Sequence, residues 1–245
     1  MDFPRIEAHT IGLDYETTGL KYWQPDFRAF SVAIATHDSE WYFDFRDTPN
    51  LGAWLRDMLP GKKIVAHNAQ FEYQVTRTLG IDPRSIDWYC TMVAECLCFE
   101  HNLTYNLEDV CKYRGIEIKK SELIEQMRVA MGLPSRDAVM RALDAAPREL
   151  VRAYGSSDAR ACFDIYMSQK PDIESQDLFQ VLDIEMKLLP VLADMSWGGV
   201  RVNLEAAEAA IPALDQKETE IGVEIKEMTG CKDSSVFVNS PKQMR

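Results

Sequence analysis

Two carboxylates two residues apart, Asp14 and Glu16, offer the first chemistry in the chain. They lie in Thr10-Ile11-Gly12-Leu13-Asp14-Tyr15-Glu16, which reads as a short β-strand, and alternate side chains of a strand project from one face. Asp14 and Glu16 therefore share a patch, while Leu13 and Tyr15 face the core. Carboxylates that close repel unless a hard divalent cation lies between them, which is how oxygen-only sites for magnesium or manganese are built. Taken alone, so short a motif arises by chance and is more often a solvated strand end.

Two later segments add further candidates. In His67-Asn68-Ala69-Gln70-Phe71-Glu72, the interval from Asn68 to Glu72 is i, i+4. On a helix both side chains would face one groove at its amino end, where oriented N–H groups favour phosphate. The alternative is an ordinary helix cap with a first-turn Glu. Tyr154-Gly155-Ser156-Ser157-Asp158 repeats the interval and puts a phenol and a carboxylate on one helix face. In isolation that pair is a packed Tyr and a solvated Asp.

The elements that must position these residues can be read from periodicity. Phe27 to Thr36 and Glu40 to Phe45 are rich in β-branched and aromatic residues around a turn-like His37-Asp38-Ser39, and with the first strand they imply an antiparallel meander. A helix over Leu51 to Leu59 stops at Pro60-Gly61. Lys63 to Ala66 reads as a buried strand, and Ala69 to Leu79 as a helix. From Ile86 the chain reads as mostly helical: Cys90 to Phe99, Asn106 to Arg114 with Asn106 as cap, a helix around Glu122 to Met131 after Lys119-Lys120, and a short one opened by Pro134-Ser135. A long helix starts near Pro147 and carries Tyr154 and Asp158, with a break expected at Pro171. Asp177 to Trp197 is helical, Val200-Arg201-Val202 reads as a short strand, and Leu204 to Met228 is helical again. Strands in a meander followed by strands alternating with helices predict an α/β fold, a mixed β-sheet flanked by helices with a helical C-terminal segment.

Composition narrows the function class. The 245 residues are 46% hydrophobic, enough for a full core, with no secretory leader and no run long enough to span a membrane, so a cytoplasmic protein is expected. Six cysteines lack paired metal-site or redox spacing and read as buried thiols. A formal net charge of −12 argues against nonspecific gripping of a phosphate backbone, because that requires Lys and Arg. It leaves open a nucleic acid held locally by divalent cations, which invert the electrostatics of an acidic pocket.

Strand Asp-x-Glu, then Asn-x-x-x-Glu, then Tyr-x-x-x-Asp on a late helix is the ordered pattern of the DEDDy exonucleases, and the segment from Ile86 to Gly115 also resembles that family. The chain resembles the 3′→5′ proofreading exonuclease domain, of RNase H-like fold, of a phage family A (DNA polymerase I-like) polymerase. Ile184 to Val202 and Asn239-Ser240-Pro241-Lys242-Gln243 are similar to the start of a polymerase thumb. The resemblance thus implies an exonuclease domain over residues 1–172, a thumb-like helical segment over 173–245, and a polymerase domain C-terminal to both in the parent protein.

Carried over by position, the resemblance implies that Asp14, Glu16 and Asp158 hold or bridge two divalent ions, Mg2+ or Mn2+. Glu72 would hold the second through water, and Tyr154 would orient the attacking water. Thr17 and Leu20 would contact the terminal nucleotide, and His67 and Asn68 its sugar and phosphate. Such a site hydrolyses the last phosphodiester of a single-stranded or frayed DNA 3′ end and releases a nucleoside 5′-monophosphate. Two departures stand out. Glu72 occupies a position where the family usually has Asp, and Cys90 one where it has an Asp that supports the ligands by hydrogen bonding. Two other readings remain open, an RNA exonuclease of the RNase D type, against which the thumb-like tail argues, and a catalytically silent scaffold with Glu72 as a step toward decay.

Overall fold

The structure, a computed structural model, describes residues 3–230, so the tail motif at 239–243 and Cys231 lie outside the described residues. The chain divides into two compact units, Met1–Gly198 and Gly199–Arg245. The first contains five strands, β1 (Thr10–Thr17), β2 (Ala29–Ala35), β3 (Glu40–Asp44), β4 (Lys63–Ala66) and β5 (Asp87–Cys90). Its helices are α1 (Leu51–Met58), α2 (Gln70–Thr78), α3 (Thr91–Cys98), α4 (Leu107–Arg114), α5 (Lys120–Met131), α6 (Arg136–Arg141), α7 (Arg148–Ser175) and α8 (Phe179–Gly198). The second unit contains α9 (Leu204–Thr229), capped by the Asn203 side chain on the Ala206 N–H.

The strands form one mixed sheet in the order β3-β2-β1-β4-β5. β1, β2 and β3 pair antiparallel, as the meander predicts, while β4 and β5 add in parallel beside β1. Both faces of this sheet are covered, which is why every residue of β2 is buried. On one face Ile11, Leu13, Tyr15, Val32 and Ile34 meet Leu51, Leu55 and Leu59 from the α1 side and Tyr73 and Val75 from α2. Each such aliphatic side chain contributes roughly 1.5–3 kcal/mol on burial. On the other face lies α7.

That second face is built from small side chains. Register sets Gly12 opposite Ala35, Asp14 opposite Ala33 and Glu16 opposite Ser31, and Ala33, Ala35, Ala159 and Phe163 pack together. With so little side-chain volume between them, α7 comes close to the backbone of β1. A Cβ on Gly12 would collide with the Ala159 carbonyl oxygen and stand 3.0 Å from Phe163 Cβ. A separate cluster of Phe30, Leu123, Ile124, Met127, Val139 and Tyr154 fastens α5 and α6 to the amino-terminal part of α7.

Four expectations need correction. Asp87 to Cys90 is a parallel edge strand rather than part of a helical stretch, because pairing with β4 supplies its backbone partners. Helix α7 runs through Pro171 to Ser175. The hydrogen bond that proline cannot make lies on an exposed side, where Met167 and Pro171 face solvent and water can take over the freed carbonyl. Val200 to Val202 forms no strand and has no strand partner among the described residues. Asn68 precedes α2 in a left-handed turn (φ 59°), so the helical i, i+4 relation to Glu72 does not apply. Asn tolerates that region better than most residues.

Substituting Gly12 by Ala tests the close approach of α7 to β1. The added methyl forces strand and helix apart, and the expected cost is about 1–3 kcal/mol. It should appear in urea unfolding as a lowered midpoint with unchanged slope. An unchanged midpoint would contradict the packing described.

Candidate active site

Three elements converge at the carboxyl end of β1. The strand ends in a register irregularity between Glu16 and Thr17, and such bulges re-aim side chains at the rims of sheets. Before it, strand alternation turns Asp14 and Glu16 to the α7 face, half-buried and buried respectively. From α7 come Tyr154 and Asp158, one turn apart and both buried. Gly155 lies between them, and a Cβ there would stand 3.3 Å from Glu16 Oε1, so the glycine leaves the space that the carboxylate uses. From the first turn of α2 comes Glu72, also buried. Its carboxyl feels the charges of Asp14 and Asp158, so the four acids lie near enough to one another to interact.

The electrostatics follow from burying like charges together. Burial, and after it the charge of Asp158, pushes Asp14 up to about 7. Glu16 is pushed well above the carboxylate range by burial and then by Asp14 and Asp158. Glu72 is likewise raised by burial and then by Asp14. Burial also raises Asp158, although the Lys120 ammonium opposes it. Tyr154 is raised by burial and then by Asp158, so its phenol keeps its proton.

Lys120, the first residue of α5, was not among the residues that motif spacing identifies. Its ammonium pairs with Asp158 Oδ2 and lies 4.8 Å from the centroid of the Tyr154 ring. Burial would lower its pKa, but Asp158 and Tyr154 outweigh this and raise it, so the group is cationic. The Lys119-Lys120 pair that opens α5 is its trace in the sequence, and nothing in that spacing points to the acids.

The substrate-side candidates are distributed differently. Thr17 is buried and donates from Oγ1 to the Gly19 carbonyl at 2.7 Å, holding the turn that follows β1. Leu20, at the end of that turn, is 75% exposed. Asn68 is exposed beside the start of α2. Both ring nitrogens of His67 are engaged by protein, Nδ1 with Thr91 Oγ1 at 2.9 Å and Nε2 with the Tyr105 carbonyl at 2.8 Å. Burial lowers its pKa to about 4 although the Tyr105 carbonyl opposes this, so His67 is a neutral clamp between the end of β4 and the segment before α4. Cys90 is buried and its Sγ accepts from the Ala69 N–H at 3.4 Å, so the thiol supports the start of α2 where the family pattern has an Asp.

A buried polar network behind the site also escaped motif reading. Arg114, whose side chain is 6% exposed, pairs with the fully buried Glu95 and with Asp172. Gln169 donates to Glu95 and to the Thr91 carbonyl, and accepts from Tyr89. The network ties α3, α4 and α7 together next to the residue that holds His67. A lone acid in the apolar run Met92 to Cys98 was the available signal.

The donor set fits a hard cation by its chemistry. Glu16 Oε1, Glu72 Oε2 and Asp158 Oδ1 are buried and have no hydrogen-bond partner. Unpartnered buried carboxyl oxygens are costly unless a cation or water completes them. Among the described residues no group of three or more His, Cys, Asp or Glu is gathered at metal-ligand spacing. The fit therefore rests on oxygen chemistry and orphaned atoms rather than on preformed coordination.

A mixed sheet with an acidic notch at the end of its central strand, closed by a helix bearing a phenol and a carboxylate, defines a nuclease-type α/β domain. The family model described as 3′-5′ exonuclease matches residues 5–174, and the chain belongs to that exonuclease family of the DNA polymerase A type. The chain is 33% identical over 235 residues to the DNA polymerase DpoZ of Acinetobacter phage SH-Ab 15497, covering 94% of this chain and 37% of that protein. It spans a little over a third of the length of such curated relatives, 37% and 38% for two more phage polymerases. The fold is similar to a solved Brucella melitensis NrnC with bound Mg2+, at TM-score 0.56 and 16% identity over 80% of this chain and 90% of that one. It is also similar to the POL domain of Pol1 from M. smegmatis in complex with DNA primer-template and dNTP. There the TM-score is 0.64 at 20% identity, over 97% of this chain and 36% of that one. Among the described residues no helix is long and apolar enough to cross a membrane.

The raised Asp14 pKa predicts a pH dependence. The folded, metal-free protein holds a proton on Asp14 that the unfolded chain releases, so this stabilisation is complete below pH 3.8 and lost as pH rises through about 7. In chelator, the stability of wild type minus that of Asp14→Asn should fall across this window, by at most about 1.4 kcal/mol per pH unit. Thermal melts at stepped pH measure it, and a difference that grows with pH would reverse the sign assigned here.

Proposed function

We propose that this chain is a 3′→5′ exodeoxyribonuclease that removes nucleoside 5′-monophosphates from single-stranded or frayed DNA 3′ ends by two-metal-ion hydrolysis. It would serve as the proofreading part of a phage family A polymerase whose polymerase domain lies elsewhere in the parent protein. The exonuclease part is assigned to residues 1–172 and the start of a thumb to 173–245, and the site of action is the host cytoplasm. The observation that carries the reading is the proximity of half-buried Asp14 to buried Glu16, Glu72, Asp158 and Tyr154, from three distant segments, with orphaned oxygens on three of the acids. That the relatives are DNA polymerases disfavours the RNase D reading.

Asp14, Glu16 and Asp158 would hold the ions directly, and Glu72, one methylene longer than Asp, would reach the second through water. Bound divalent ions would lower the pKa of a water and stabilise the departing 3′ oxygen. Tyr154 remains a protonated phenol, so it orients the attacking water by hydrogen bonding and does not take its proton. Leu20, exposed on the turn that follows β1, would wedge against the terminal base. Thr17 shapes the turn that presents it, and Asn68 would meet the phosphate. His67 would act by clamping the end of β4 to the segment before α4, since its nitrogens are already occupied. A silent scaffold is the second reading, favoured by the Lys120 ammonium lying on Asp158.

A 5′-labelled single-stranded DNA incubated with Mg2+, Mn2+ or chelator tests the proposal. The expected readout is metal-dependent stepwise shortening from the 3′ end. Asp14→Ala should reduce it at least about 10²–10³-fold, and Tyr154→Phe about 10²-fold. No shortening by folded wild type at high concentration would favour the scaffold.

A further inference from the structure

Lys120 lies where a metal-binding site has least use for it. Its side chain is 25% exposed while that of its partner Asp158 is 3% exposed, so the ammonium reaches into the notch from its rim. It contacts Asp158 Oδ2, stacks over the Tyr154 ring at 4.8 Å, and its charge is felt by Asp14, Glu16 and Glu72 as well. His67 and Cys111 also lie within range of its charge. Helix α5 is held against α7 by Leu123, Ile124 and Met127, so the backbone of Lys120 is anchored while its four-carbon stem is free to turn.

Four acids in one buried notch require positive charge. Without metal, Lys120 supplies part of it. A divalent cation on the Asp158 carboxylate would be repelled by an ammonium on the same group, since like charges at such separations in a low-dielectric site cost far more than in water. Although Lys120 contacts only Oδ2 and leaves Oδ1 without a partner, the two charges compete for the one carboxylate. The partial exposure of the lysine provides the direction in which it leaves.

We propose that Lys120 is the resident counter-ion of Asp158, holding the metal-free site together and giving up that carboxylate when a divalent cation enters. The inference rests on the two-metal reading above and adds what that reading lacks, a residue of this chain that exchanges with the metal. It also reconciles the lysine with catalysis, since a displaced ammonium no longer blocks a ligand.

The test uses the full chain and Mn2+ as probe, with two readouts other than activity. Calorimetric titration of folded Lys120→Met, checked by circular dichroism, should show Mn2+ binding about tenfold tighter than wild type, about 1.4 kcal/mol, while Lys120→Arg stays near wild type. In wild type, acetylation of Lys120 by acetic anhydride, read by peptide mass spectrometry, should be several-fold faster with saturating Mn2+ than with chelator. A merely structural ion pair predicts equal acetylation in both conditions. Equal acetylation in wild type that binds Mn2+, or Mn2+ binding by folded Lys120→Met no tighter than wild type, overturns the exchange and leaves the two-metal reading standing. Failure of both wild type and Lys120→Met to bind Mn2+ overturns both.

Discussion

The close contact between α7 and β1 is the constraint on which the rest of the structure depends. It exists because Gly12, Ala33, Ala35 and Ala159 leave no bulk between strand and helix. The helix therefore lies low enough for Tyr154 and Asp158 to reach the end of the strand, and the gap at Gly155 admits the Glu16 carboxylate. Had the interface been built from large aliphatic side chains, helix and sheet would stand at the ordinary separation. The phenol and the carboxylates would then face separate patches of solvent. Function here begins as a packing decision.

Packing of this kind carries an electrostatic cost. It gathers four acids largely away from water; burial raises the pKa of each, and repulsion from neighbouring acids of the site adds to this for Asp14, Glu16 and Glu72. The site is strained toward protonation or toward a cation, and both outcomes stabilise it. Such poise characterises functional sites, because an arrangement optimal without ligand leaves nothing for the ligand to stabilise. Lys120 fits this logic as a moderate, single charge that limits the repulsion without satisfying every oxygen.

Around this centre the fold spends polar interactions on orientation. His67, Thr91, Gln169, Glu95 and Arg114 form a nearly continuous path from the end of β4 to the last turns of α7. A buried ion pair adds little net stability, because desolvation offsets most of the attraction. Its effect is directional: removing one partner strands the other, so α3, α4 and α7 keep one arrangement. Cys90 gives a weaker example, a thiol accepting a backbone N–H where a carboxylate would bind more strongly.

The sequence alone determined the elements with strong local signals and the acids within them. The β1-β2-β3 meander, the Asn106 cap, the strand pairing of Asp14 with Glu16 and the helical pairing of Tyr154 with Asp158 follow from periods of two and 3.6 residues and from local capping chemistry. The order of the three motifs added the family. Tertiary structure decided what local rules could not reach. β5 exists because β4 offers it partners, α7 passes Pro171 because solvent satisfies the freed carbonyl, and Asn68 leaves the helix because the turn from β4 into α2 requires a positive φ. Lys120 is the clearest case. Thirty-eight residues separate it from Asp158, and no period links them; only the packing of α5 on α7 brings a cation onto the acids, since charge interactions depend on distance in space and leave no mark in spacing along the chain.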